Sequence, residues 1–158
     1  MAFVSSIIVV EDVLRSRGLY ENVLDLKVTA DFGVHNVGFE GGLGLYRKAF
    51  FQELIGGDVS LDKHHSVVLY FEVDNLDELE QEIALLDFEF LHKIREQPWK
   101  QRIFRFYDYD NHILEIAERM DIVISRLGQN GNSVEEIAKL TGYRVDQVLE
   151  ELEKHEHR

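Results

Sequence analysis

The sequence predicts an α+β fold: two β-α-β-β-β units in tandem, forming a curved mixed sheet around a cavity and followed by a C-terminal helical hairpin. Three observations carry this. A β-branched apolar run leads twice into a polar helix cap and an amphipathic stripe. Three short strand-like segments follow each stripe. Beyond residue 119 the pattern changes to helix caps separated by glycine breaks, so the expected division is 1–119 for the paired repeats and 120–158 for a helical extension with a packing role.

In the first repeat, residues 3–10 (Phe-Val-Ser-Ser-Ile-Ile-Val-Val) read as a strand. Asp12 offers an N-cap, and Val13, Tyr20, Val23 and Leu24 give a helical stripe over 12–24. Strands are predicted near 26–32, 34–40 and 42–48, separated by the polar or glycine-bearing Asp31-Phe32-Gly33 and Gly41-Gly42. Residues 49–57 look like a short helix ended by glycine.

The order then recurs. Residues 66–73 form a strand, Asn75 a cap, and Leu76, Leu79, Ile83 and Leu86 an apolar stripe, with strands near 88–95, 101–107 and 112–118. Val10-Glu11-Asp12-Val13 corresponds to Val73-Asp74-Asn75-Leu76, and Leu43-Gly44-Leu45 to Leu114-Glu115-Ile116. Helices packed on one face of each sheet would leave the other to curve around a cavity.

In the extension, residues 120–128 look helical and Gly128-Gln129-Asn130-Gly131 is a break. Ser133-Val134-Glu135-Glu136 is a capping box, Gly142 an interruption, and Val145, Val148, Leu149 and Leu152 an apolar stripe. Ala138, Gly142 and Val148 are spaced as in a helix-turn-helix, which lets two helices pack closely. Asp146, Glu150, Glu151 and Glu153 would meet DNA phosphates with carboxylates, so packing or dimer contact is the expected role.

Composition narrows the partners. The 158 residues carry a formal charge of −13, which argues against nucleic acid and anionic membranes and weakly favours cationic ligands. Hydrophobic content of 45% suits a folded chain with a sizeable core. The absence of cysteine removes disulfides and thiolate metal sites. No apolar run approaches the ~20 residues that span a bilayer, and the start lacks the basic stretch of a secretory leader. A cytoplasmic location and a homodimer are expected.

Tyr107-Asp108-Tyr109-Asp110-Asn111-His112 and the segment through Glu118 read as a strand, a tight Asp/Asn turn and a second strand. Leu114 and Ile116 share one face, leaving Glu115 on the other as a candidate site residue. This segment resembles the last hairpin of the glyoxalase/bleomycin-resistance/dioxygenase superfamily, the vicinal oxygen chelate fold. The resemblance covers about residues 3–118. It implies that the acid at Glu115 is a metal ligand, and that each repeat supplies one ligand from its first strand and one from its last. The other three ligand positions then fall on Ser5, Gly44 and Val68. Valine and glycine have no ligating side chain, and a lone serine hydroxyl is a poor ligand for Zn, Ni or Fe. His64-His65, His112 and His35 are the histidines near enough in sequence to substitute, and each also reads as a surface or turn residue. Glu96-Gln97-Pro98-Trp99, together with the Asp-x-Asp-x-His turn, is similar to metal-poor members of the superfamily.

The expected site is therefore a small-molecule cavity with no metal or other cofactor. Glu115 is its catalytic or poised group, and Ser5, Val68, Tyr70, Trp99, Arg102, Arg105 and His112 are its ligand-binding residues. Arg102 and Arg105, three apart on a strand, should face opposite sides, so one of the two reaches the cavity. Glu115 is then solvated, paired with that arginine, or held protonated. Two functions fit: a metal-free binding protein like the drug-sequestering members, or a metal-dependent lyase, isomerase or dioxygenase of glyoxalase type using Glu115 and nearby histidines.

Overall fold

The structure, a computed structural model, describes residues 1–156, with side chains through Lys154. The chain forms two compact units. One holds Met1–His65 together with Asp108–His112; the other holds Ser66–Tyr107 and the chain from Ile113 onward. The C-terminal helices group with the second repeat in this division.

In the first unit, strand β1 (Ser6–Val10) leads to α1 (Val13–Gly18), which a π-helical turn, Leu19–Val23, prolongs. Asp12 caps α1 by accepting from the Leu14 and Arg15 amides. Strands β2 (Val28–Asp31), β3 (Asn36–Phe39) and β4 (Leu43–Arg47) follow, then helix α2 (Lys48–Ile55), which ends on Gly56 in the left-handed region. The sheet order is β1-β4-β3-β2, with β1 parallel to β4 and the other pairs antiparallel. Val10, Val13, Tyr20, Val37 and Leu45 are fully buried and form its core.

The turn Asp108–His112 belongs to this unit because its carboxylates are wired into it. Asp108 accepts from the amides of Asp110 and His112 and from the Tyr20 hydroxyl at 2.8 Å. Asp110 accepts from the Glu11 amide and the Ser16 hydroxyl, and Asn111 takes a positive φ of 68°. Both carboxylates are buried, and their hydrogen bonds offset the desolvation.

The second unit repeats the plan: β5 (Val68–Val73), α3 (Leu76–Leu85) capped by Asn75, β6 (Phe90–Glu96), β7 (Arg102–Tyr107) and β8 (Ile113–Glu118). Its order is β5-β8-β7-β6, with β5 parallel to β8. The fold is α+β as expected, with the strands divided into two four-stranded mixed sheets, one per repeat.

The C-terminal helices fall where the sequence predicts them: α4 (Met120–Gln129), then α5 (Val134–Thr141) and α6 (Val145–Glu156). The Ser133 capping box forms in full, and Gly142 ends α5 at φ 77°. Met120, Val123, Ile124, Leu127, Ile137 and Val148 make one core, against which Trp99 and Tyr143 pack. Gly128 allows the approach of α6: a Cβ there would lie 2.9 Å from Leu152 Cδ2. Arg126 ties α4 to the sheet through a 2.6 Å bond to the buried carboxylate of Glu118, which also accepts from the Arg102 amide. Among the described residues no helix is long and apolar enough to cross a membrane.

Candidate functional site

The register of the second sheet decides which side chains share a face. Glu115 on the central strand β8 stands opposite Tyr70 on β5 and Arg105 on β7, and Arg105 stands opposite His92 on β6. Side chains alternate along strands, so Val68, Tyr70, Glu72, Arg105 and Glu115 lie on one face. Arg102 lies on the other. Its guanidinium makes a bidentate pair with Asp77 on α3, at 2.8 and 3.2 Å. The choice the sequence left open thus falls on Arg105, and Arg102, one of the expected ligand-binding residues, is committed to the helix-covered face.

Arg105 Nε donates to Glu115 Oε2 at 2.6 Å and Nη2 completes the ion pair. Arg105 Nη1 also contacts His92 Nε2 at 2.7 Å, and His92 Nδ1 contacts the Lys93 carbonyl at 2.8 Å. A guanidinium can only donate, so Nε2 accepts and Nδ1 carries the proton. Burial, reinforced by the cations Arg95 and Arg105, holds the imidazole below its usual pKa, which keeps it neutral. Glu115 is therefore neutralised by a guanidinium.

A second chain of hydrogen bonds runs along the same side. Trp99 Nε1 donates to Gln101 Oε1 at 2.7 Å, and Gln101 Nε2 donates to the Tyr70 hydroxyl at 2.8 Å. Tyr70 in turn donates to Glu72 Oε1 at 2.8 Å. Gln101 is buried, and its Nε2 also satisfies the Glu118 carbonyl. Burial, together with the Glu72 carboxylate, raises the Tyr70 pKa well above the ordinary phenol value, so it stays a donor. Every donor in the chain points toward Glu72, its terminal acceptor.

Over this face lies a cleft of about 400 Å³. The sheet supplies Tyr70, Glu72 and Glu115; Trp99 and Gln101 come from the loop before β7; Met120, Thr141 and Tyr143 come from the helical extension. A neighbouring recess of about 350 Å³ shares Glu72, Met120 and Tyr143 and adds Arg119, Asp121, Glu151 and Lys154.

Of the expected site residues, Glu115, Tyr70 and Trp99 line this cleft, and Arg105 acts on it through Glu115. Val68 shares the face but is exposed two residues before Tyr70, opposite Ile113. Ser5 is exposed just before β1 in the first unit. His112 is held in the Asp108–His112 turn, its Nδ1 2.9 Å from Asp108 Oδ2, and it is not among the residues that line the cleft. Glu72, Gln101, Thr141, Tyr143 and His92 were not anticipated. Glu72 was readable, since it shares the parity of Val68 and Tyr70; Tyr143 required knowing where the extension docks.

The donor set does not fit the superfamily metal. The first-repeat position is Gly44, which has no donor side chain, and a Cβ there would sit 3.2 Å from Ile7 Cγ1 and press on that side chain. Glu115 is occupied by Arg105. Among the described residues no three His, Cys, Asp or Glu side chains gather as a metal-binding group.

Comparison with known proteins agrees with the fold. The glyoxalase-like domain profile matches residues 3–121, ending at the start of α4. A crystal structure of a protein of unknown function from Agrobacterium tumefaciens strain C58 is similar at 35% identity and TM-score 0.67, covering 75% of this chain and 94% of its own. A glyoxalase-related enzyme from Fulvimarina pelagi is similar at 18% identity and TM-score 0.64, covering 75% and 88%. A genomically encoded fosfomycin resistance protein from Listeria monocytogenes is similar at 18% identity and TM-score 0.58, covering 75% and 93%. No curated protein matches the chain. With its paired repeats, its register and the matched span, the chain belongs to the glyoxalase-like family of the glyoxalase/bleomycin-resistance/dioxygenase superfamily.

Proposed function

We propose that the protein binds a small organic molecule in the cleft over its second sheet and does so without a transition metal. The observation that carries this reading is the cleft itself. Its walls are aromatic (Tyr70, Trp99, Tyr143) and its polar points are few and held in place, the usual make-up of a small-molecule site. Arg105 stands against Glu115 where the superfamily chemistry needs a metal, which favours binding over metal-dependent lyase, isomerase or dioxygenase activity. Glu115 then serves as a fixed, neutralised acceptor whose remaining lone pairs face the cleft.

Trp99 is the single tryptophan of the chain and lines the cleft, so its fluorescence reports occupancy directly. A library of small aromatic compounds titrated against the protein should include members that shift or quench Trp99 emission saturably. Glu115→Gln should weaken those members by about tenfold, or 1.4 kcal/mol, with folding intact. Saturable binders that leave Trp99 emission unchanged and are indifferent to Glu115→Gln would place the site elsewhere and refute the proposal.

A further inference from the structure

The glyoxalase-like domain accounts for the sheet side of the cleft, but not for Thr141 and Tyr143, which lie beyond residue 121. Tyr143 has an ordinary anchoring role, since its ring packs on the helical core. Its hydroxyl is another matter: among the described residues it makes no hydrogen bond, although burial and the charges of Glu72, Glu151 and Asp121 raise its pKa. It stands at the junction of the two recesses, which share it with Glu72.

The charges around that junction are unequally satisfied. Arg119 pairs with Asp74 and Asp121, and Lys154 with Glu151. Glu115 pairs with Arg105. Glu72 has no cationic partner among the described residues, and its bond is the one from the neutral Tyr70 hydroxyl. The relay from Trp99 through Gln101 and Tyr70 fixes that carboxylate in place without neutralising it.

From this, and resting on the small-molecule reading above, we infer that the C-terminal extension completes the site and that Glu72 and Tyr143 select a ligand carrying an ammonium group on an aromatic body. The ammonium would donate to Glu72 and to the open lone pair of Tyr143, while its aromatic body lies against Trp99 and Tyr70. A cation next to aromatic faces and an unneutralised carboxylate is favoured by both.

Three probes share one body and differ in charge: 2-phenylethylammonium, 2-phenylethanol and 3-phenylpropanoate. Titrated into the full chain and read by Trp99 emission, the ammonium should bind at least about tenfold more tightly than the other two. Glu72→Gln, isosteric at an exposed position, should erase that preference, and Tyr143→Phe should reduce it. Circular dichroism should show both variants folded. Equal or tighter binding of the alcohol or the carboxylate would overturn the cation selection while leaving the cleft reading in place. A preference that survives Glu72→Gln would overturn the assignment to Glu72, and one untouched by Tyr143→Phe and Tyr143→Ala would remove the extension from the site. No Trp99 response to any of the three at millimolar concentration would remove the inference and the cleft reading together.

Discussion

Replacing Arg105 with Met keeps the length of the side chain and removes the cation that holds Glu115. Exposed ion pairs contribute about 0.2–1 kcal/mol, whereas breaking a buried pair by removing one partner costs about 3–5 kcal/mol. The Arg105 and Glu115 side chains are 19% and 14% exposed, between those limits and nearer the second. The variant also strips the donor from His92 Nε2. A loss of about 2–3 kcal/mol is expected on these grounds. Glu115→Gln, which leaves a hydrogen-bonding amide, should cost only about 1 kcal/mol. The double variant should then be more stable than the sum predicts, with a coupling of about 1–2 kcal/mol, since neither charge is stranded. Urea denaturation followed by far-ultraviolet circular dichroism gives all four stabilities. A coupling below about 0.3 kcal/mol, within the scatter of independent sites, would mean that the pair is solvated and idle, and the description of Glu115 as neutralised would fail.

Other outcomes follow from the same structure. The His92 pKa is lowered in the folded state, so the unfolded chain binds the extra proton first. Stability should rise with pH between the lowered value and about 6.5, and fall on acidification through that window. His92→Gln should flatten that stretch of a melting-temperature profile; an unchanged profile would contradict a neutral His92. Gly44→Glu, which would restore the first-repeat acid, forces a Cβ against Ile7 and should destabilise by about 1–3 kcal/mol in thermal melts; Ile7→Ala should relieve much of that cost. Deleting residues 121–158 uncovers Trp99 and strands Glu118, so the emission should move to the red and the melting temperature should drop. Wild-type values for both would show that the extension is not packed there. The full chain should show no salt-dependent binding to duplex DNA, which carboxylates on α6 would repel.

Local signals explain why so much of the fold was readable. Asp12, Asn75 and Ser133 each announce a helix start by side-chain chemistry that acts within three residues, and each caps its helix. The Asp108–His112 turn was readable for the same reason, but its ties to Tyr20, Ser16 and Glu11 were not, because those are long-range. Alternation narrowed the arginines to one of two, and only the register, with Arg105 opposite Glu115, selects between them. Trp99, expected as a ligand-binding residue, lines the cleft and also anchors its loop: its ring packs on the helices and its Nε1 starts the relay to Glu72. Glu72 carried a local signal in its parity with Val68 and Tyr70, whereas Gln101 and Tyr143, on a loop and in the tail, come to line the same cleft only once α4–α6 dock. Nothing within a few residues of those two records that event.

Arg105 stands against Glu115 as its cationic partner, and on the proposed reading no metal ion shares that carboxylate. Elemental analysis of protein purified without chelator and then dialysed tests it most directly. The account predicts no stoichiometric Zn, Ni, Mn or Fe, in the wild type and in Glu115→Gln alike. One equivalent of such a metal retained by the wild type and lost in Glu115→Gln would contradict it.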